Sequence, residues 1–234
     1  MNRLLLLVVV CVLTQLSLFA DVLKDQKLFA IHGFSGSAWN LYYLTRPLEK
    51  EQMNITYWDY PSKEKYIEEH AEDLVNELKN EAANNPGQPI HFLTHSMGGL
   101  VLRAALNHPE CPPEAQMGRA ALLVPPNQGA VWGRILGEYS VPISIAREFS
   151  GKQLMSEIDF EHLGQFPEAM EVLVVAGNFG FNPFLNGEND GVVMVEETYL
   201  STPHRHIVVK QGHKSILLSR QVAELIHEFI SEFN

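Results

Sequence analysis

Six short apolar runs recur along the chain, at Leu28–Ile31, Ile55–Trp58, Ile90–Leu93, Ala120–Val124, Val172–Ala176 and His206–Val209. Most are continuous rather than alternating. A strand with one wet face alternates apolar and polar residues, so continuous runs of this length suit strands covered on both faces. Between them lie helical patterns. Lys63–Ala83 places Ile67, Ala71, Leu74, Val75 and Leu78 on one stripe, and the closing segment does the same with Val222, Leu225, Ile226, Phe229, Ile230 and Phe233. Strand, helix and strand in alternation predict an α/β fold, a mostly parallel sheet of about six strands with helices on both faces. In such folds ligands bind beyond the carboxyl ends of the strands, so the loops that follow the strands are where chemistry is sought.

One interval breaks the alternation. From Pro125 to Glu171 no clear strand appears, while "VWGRILGEY" and "GKQLMSEIDFEHL" are weakly helical. A small helical insertion after the fourth strand is expected, either as a substrate-binding element or as a structural crossover. The rest of 21–234 shows no linker, repeat or low-complexity tract and reads as one domain.

The formal charge of −11 is spread along the chain. Nucleic-acid binding depends on Lys and Arg neutralising phosphates, so that partner class is not expected. Residues 1–20, MNRLLLLVVVCVLTQLSLFA, differ in kind: Arg3, an apolar core from Leu4 to Leu13 and a small Ala20 before Asp21 read as a secretory signal, with an uncleaved membrane anchor as the alternative. A secreted or periplasmic location follows. Leu18 stands where a small residue is preferred, and Cys11 follows the bulky Val10, so lipidation is not expected. Once 1–20 are removed only Cys111 remains, which excludes an intramolecular disulfide and suits a structural turn residue.

"LTHSMGGL", residues 93–100, lies where an apolar run meets a helical pattern. A nucleophile elbow needs this context: a sharp strand-to-helix turn lifts a serine hydroxyl above the sheet, and small neighbours relieve the crowding. Gly98 and Gly99 supply the room, while Thr94 replaces the first glycine of G-x-S-x-G. Ser96 would equally suit an ordinary helix N-cap. The first strand ends in His32-Gly33-Phe34-Ser35-Gly36-Ser37, a glycine-rich loop able to point N–H groups into a site. A tetrahedral oxyanion needs two such donors, and the amides of Phe34 and Met97 fit the two positions.

A serine hydroxyl also needs a base, and the base an acid to hold its tautomer. His213, in "KQGHKSILL" between the last strand and the last helix, is the best placed of ten histidines. His206 falls in a strand, His227 in the terminal helix, and His95 beside the serine, where packing or a local hydrogen bond is expected. No Cys, His or Asp cluster surrounds His204 and His206, so a metal site is not expected. Asp190, in "GNFGFNPFLNGENDGVV", is the candidate acid, with Glu188 second; Asp59 precedes Ser96 and fails the chain order Ser, acid, His.

Taken together and in order, "IHGF", "THSMGG", "VPPNQGA", "NDGVV" and "GHKSILL" resemble the small bacterial α/β-hydrolases of the lipase and esterase type, similar to minimal triacylglycerol lipases and to bacterial relatives of GPI inositol-deacylases. The resemblance implies that Ser96, Asp190 and His213 form a catalytic triad and that Phe34 and Met97 supply the oxyanion hole. It implies hydrolysis of a carboxylic ester through an acyl-enzyme, with no metal or organic cofactor. The substrate would be a small-molecule or lipid ester, the latter bringing contact with a membrane surface; the oligomeric state stays open. Thioester or amide hydrolysis and acyl transfer use the same parts, and a catalytically silent binding module is the rival class. Asn127, in "PPNQG", is expected to cap the following helix, with lining of the pocket as the other reading. Phe34, Trp39, Trp132, Phe179, Phe181, Phe184 and Leu185 would either wall an apolar groove for an acyl chain or belong to the core.

Overall fold

The structure is a computed structural model that describes residues 23–138 and 148–233. The signal or anchor reading of residues 1–20 therefore lies outside the described residues, as does Tyr139 at the end of the first insertion pattern.

Six strands, β1 (Lys27–Ile31), β2 (Asn54–Trp58), β3 (Ile90–His95), β4 (Ala120–Leu123), β5 (Val172–Gly177) and β6 (Arg205–Val209), form one parallel sheet in the order β2-β1-β3-β4-β5-β6. The order reverses once, between β1 and β3, which is where an open parallel sheet leaves a crevice at its carboxyl edge. The continuous apolar runs are explained by two cores rather than one. Phe29, Ile31, Phe92, Leu122, Val172 and Val174 face the first, and their chain neighbours Leu28, Ala30, Leu93, Ala121, Leu123, Leu173 and Val175 face the second.

Six helices are described: α1 (Tyr42–Lys50), α2 (Ile67–Asn84), α3 (Met97–Leu106), α4 (Val131–Glu138), α5 (Phe149–Ser156) and α6 (Arg220–Ser231). The apolar stripes of α2 and α3 cover one sheet face and those of α1 and α6 the other. Helix α2 begins four residues later than its hydrophobic spacing predicts, because Tyr66 is still extended and the Glu69 carboxylate accepts the Tyr66 N–H at 2.8 Å, fixing the start at Ile67.

The expected insertion after β4 holds α4 and α5. Gly133 allows them to touch: a Cβ there would lie 2.4 Å from the Leu154 carbonyl oxygen. Helix α5 is tied to the start of α2, with Gln153 Oε1 accepting the Ile67 N–H at 2.8 Å and Ser150 Oγ donating to the Ser62 carbonyl at 2.6 Å. The Glu197 carboxylate, not Asn127, accepts the Val131 N–H at the head of α4, at 2.5 Å. Asn127 neither caps that helix nor lines the pocket described below; it is fully buried and donates to the Thr198 carbonyl at 2.8 Å. Both corrections have one cause, since the 194–198 turn folds back over the start of the insertion and brings its polar groups there. Among the described residues no helix is long and apolar enough to cross a membrane.

Candidate active site

Strand β3 hands over to α3 through Ser96, whose backbone sits at φ 53°, ψ −125°. A residue with a Cβ enters this region only when its surroundings impose it. Two strands supply the constraint. The Ser96 N–H donates to the Leu123 carbonyl of β4 at 2.8 Å, and α3 is drawn against β1 so closely that a Cβ on Gly98 would stand 2.6 Å from the His32 carbonyl oxygen and 2.7 Å from that of Ile31. Thr94 is accommodated from the opposite side, its Oγ1 lying 3.3 Å from where a Gly99 Cβ would be. The second glycine thus provides the space that the threonine takes up. Ser96 makes no side-chain capping bond, which removes the N-cap reading and leaves its hydroxyl free for another partner.

That partner is His213. Its Nε2 lies 3.1 Å from Ser96 Oγ, and its Nδ1 lies 2.6 Å from Asp190 Oδ2. A carboxylate only accepts, so Nδ1 carries the hydrogen and the Nε2 lone pair faces the serine hydroxyl. Asp190 is itself fixed: its Oδ1 accepts the amides of Val192 and Val193 at 2.8 and 2.7 Å, and its side chain is 1% exposed. Its main chain also takes part, the Asp190 carbonyl accepting the His213 N–H at 2.9 Å. Glu188 is exposed and accepts from Asn178 instead, at 3.2 Å. Asp59 lies at the end of β2, where its Oδ1 accepts the Ala38 N–H at 2.7 Å, so it fastens the loop after β1 rather than orienting His213.

The bond from His95 is not local. Its Nε2 donates across 118 residues to the His213 carbonyl, at 2.9 Å, and desolvation, reinforced by the nearby His213 ring, pushes its pKa down to about 3. The elbow therefore grips the histidine loop with a neutral ring. The Ser62 hydroxyl, accepting the Ser35 N–H at 2.9 Å, and the Tyr60 hydroxyl, donating to the His32 carbonyl at 2.8 Å, steady the loop after β1. Only the parallel pairing of β1 with β2 could have pointed to Tyr60 and Ser62, because it places the residues after Trp58 beside those after Ile31.

A cavity of about 240 Å³ opens over Ser96 and is lined by His32, Phe34, Asn40, His95 and His213 among others. The Gly33–Phe34 loop closes directly on the serine, for a Gly33 Cβ would lie 2.9 Å from Ser96 Cβ. The Met97 side chain is fully buried in the first core, while its amide follows the serine at the head of α3. Of the seven side chains expected to wall a groove or fill the core, Phe34 alone lines this cavity. Leu185 is buried, but Trp39, Phe179, Phe181 and Phe184 are exposed, Trp39 stacked on Tyr42 and Phe184 on Trp132. Among the described residues no group of three or more His, Cys, Asp or Glu side chains could hold a metal ion; His206 stacks on Tyr199 with ring centroids 4.0 Å apart.

No protein-family model matches the sequence, and no curated protein matches it. Solved structures do. The mature form of the Bacillus licheniformis lipase BlEst2 is similar over 89% of this chain and 92% of that one, with 16% identity and a TM-score of 0.71. The Pyrococcus furiosus esterase Pf2001 is similar over 91% of this chain and 82% of that one (20% identity, TM-score 0.60). The phospholipase PlaB from Legionella pneumophila is similar over 87% of this chain but 59% of its own (16% identity, TM-score 0.62). The chain has the α/β-hydrolase fold.

Proposed function

We propose that the protein is a serine hydrolase that cleaves carboxylic esters through an acyl-enzyme. The observation that carries this reading is the unbroken relay from Ser96 Oγ to His213 Nε2 at 3.1 Å and from His213 Nδ1 to Asp190 at 2.6 Å, with the serine held on a strained turn beneath a cavity. In the first half-reaction Ser96 Oγ attacks the ester carbonyl carbon while His213 Nε2 takes the hydroxyl proton. Asp190, remaining a carboxylate, holds the tautomer and stabilises the imidazolium. The carbonyl oxygen becomes an oxyanion facing the amides of Phe34 and Met97. Collapse expels the alkoxide, which takes the proton from His213, and leaves Ser96 acylated. Water then attacks the acyl carbon, giving its proton to His213, and the second tetrahedral intermediate releases the acid and returns the proton to Ser96 Oγ.

A lipid ester suits the exposed Phe179, Phe181 and Phe184, which would meet an apolar surface beside the His213 loop, and a small soluble ester is the alternative. With residues 1–20 acting as a secretory signal, the reaction takes place outside the cytoplasm. A fluorophosphonate probe tests the core of the reading. The protein should be labelled once, at Ser96, and should turn over p-nitrophenyl esters, with Ser96→Ala abolishing labelling and cutting turnover by roughly four to six orders of magnitude. The mass of labelled protein recovered from the exported fraction should give an N-terminus near Asp21. Folded wild-type protein that is neither labelled nor active would instead support a binding module, and a labelled form retaining residues 1–20 would support an anchor.

A further inference from the structure

The geometry points to His32 as a positioning residue for the oxyanion hole, acting through the Gly33–Phe34 peptide plane; this inference rests on the ester-hydrolase reading above. His32 is 2% exposed and closes the end of β1. Its Nδ1 lies 2.7 Å from the Gly33 carbonyl oxygen, and its Nε2 lies 3.3 Å from the Tyr60 N. A carbonyl can only accept and an amide N–H can only donate. The two contacts therefore specify one neutral tautomer, with hydrogen on Nδ1 and a lone pair on Nε2. The Tyr60 ring stacks on the imidazole with centroids 4.3 Å apart and holds its plane. Burial lowers the pKa of His32, outweighing the Asp59 carboxylate 3.6 Å from Nε2, which favours the charged ring.

The Gly33 carbonyl and the Phe34 N–H belong to the same rigid peptide unit. In a trans peptide they point in opposite directions, and no cis peptide occurs among the described residues. The Gly33 carbonyl accepts two hydrogen bonds, from His32 Nδ1 and from the Gly36 N–H at 3.0 Å. Rotation of the plane would break both. With the carbonyl fixed towards the His32 ring, the Phe34 N–H is fixed away from it, in the loop that closes on Ser96. A hydrogen bond to the carbonyl also polarises the amide, making its N–H a better donor to a developing oxyanion. Neither effect requires His32 to touch the substrate.

Two near-isosteric variants separate this role from packing. In His32→Asn the side-chain amide nitrogen can occupy the place of Nδ1 and donate to Gly33; in His32→Gln the amide falls nearer Nε2 and that donation is lost. His32→Gln should lower kcat for a p-nitrophenyl ester by about tenfold to a hundredfold with KM within about twofold, because an oxyanion donor acts on the transition state. His32→Asn should recover most of kcat. Equal losses in the two variants, or a change confined to KM, would overturn the inference. The wild-type protein gives a second readout that does not depend on how the variants fold: the nitrogen spectrum of His32 at neutral pH should show a protonated Nδ1 and a bare Nε2. A hydrogen on Nε2 would overturn the inference equally. Should the wild type react with neither probe nor ester, the hydrolase reading fails first and the role of His32 with it; a reactive wild type with indistinguishable variants removes His32 alone.

Discussion

The carboxylate at position 190 shows how one side chain is selected among neighbours of similar chemistry. Glu188 and Asp190 share a loop, but Asp190 alone is nearly sealed from water, with one oxygen on two backbone amides and the other on His213. Asp190→Asn would place an amide opposite His213 Nδ1 and favour the wrong tautomer, so turnover should fall by roughly four orders of magnitude, whereas Glu188→Gln should stay within a fewfold of wild type. Parallel steady-state assays of the two variants check this, and the reverse ranking would reassign the acid. That Ser96, Asp190 and His213 come together was legible in the sequence because each lies in a loop that follows an apolar run and the chain order is restrictive. Asn127 and His95 were less legible. Their partners, Thr198 and His213, are 71 and 118 residues away, and no local pattern reports a bond of that span.

At the scale of elements, the elbow depends on how closely a helix can approach a strand. The atoms that a Gly98 side chain would meet are the carbonyl oxygens of Ile31, the last residue of β1, and of His32 just after it, which cannot swing aside as a side-chain tip would. Gly98→Ala should therefore cost about 1–3 kcal/mol or more and lower the thermal midpoint, and it should disturb the Gly33–Phe34 loop as well. A stability unchanged from wild type would mean that α3 sits farther from β1 than described. The inner strands β1, β3, β4 and β5 were the most legible elements, since burial on both faces leaves an uninterrupted apolar run. Helix α2 starts later than Lys63 because the Glu69 side chain caps the Tyr66 amide and so sets its first turn. The aromatic residues of 179–184 misled because composition is silent about direction: the loop turns Phe181 almost wholly outward, at 96% exposure.

For the molecule as a whole, three histidines link folding to pH. Burial lowers His70 and His91 to about 4 and His95 to about 3. In the unfolded chain each titrates near the ordinary histidine value of about 6.5, so between that pH and 4 the unfolded state binds more protons. Their contribution is complete above about pH 6.5 and is lost as pH falls towards 4, at up to about 1.4 kcal/mol per pH unit for each ring. Urea midpoints should decline over that range, and His70→Phe, which keeps an aromatic ring against Tyr60, should flatten the decline. A midpoint constant from pH 7 to 4.5 would contradict it. The seam between β4 and β5 has a different consequence. Everything before it, through Leu123, includes the serine elbow and the glycine loop, and everything from Val172 onward includes Asp190 and His213, already joined to each other by side chain and backbone. The molecule is in this sense two half-sites that meet along β4 and β5, where α1 packs on α6 and where His95 bonds the His213 carbonyl, so a chain divided in the connection between them would behave as a reporter of complementation, silent as fragments and reactive only where the halves have found each other.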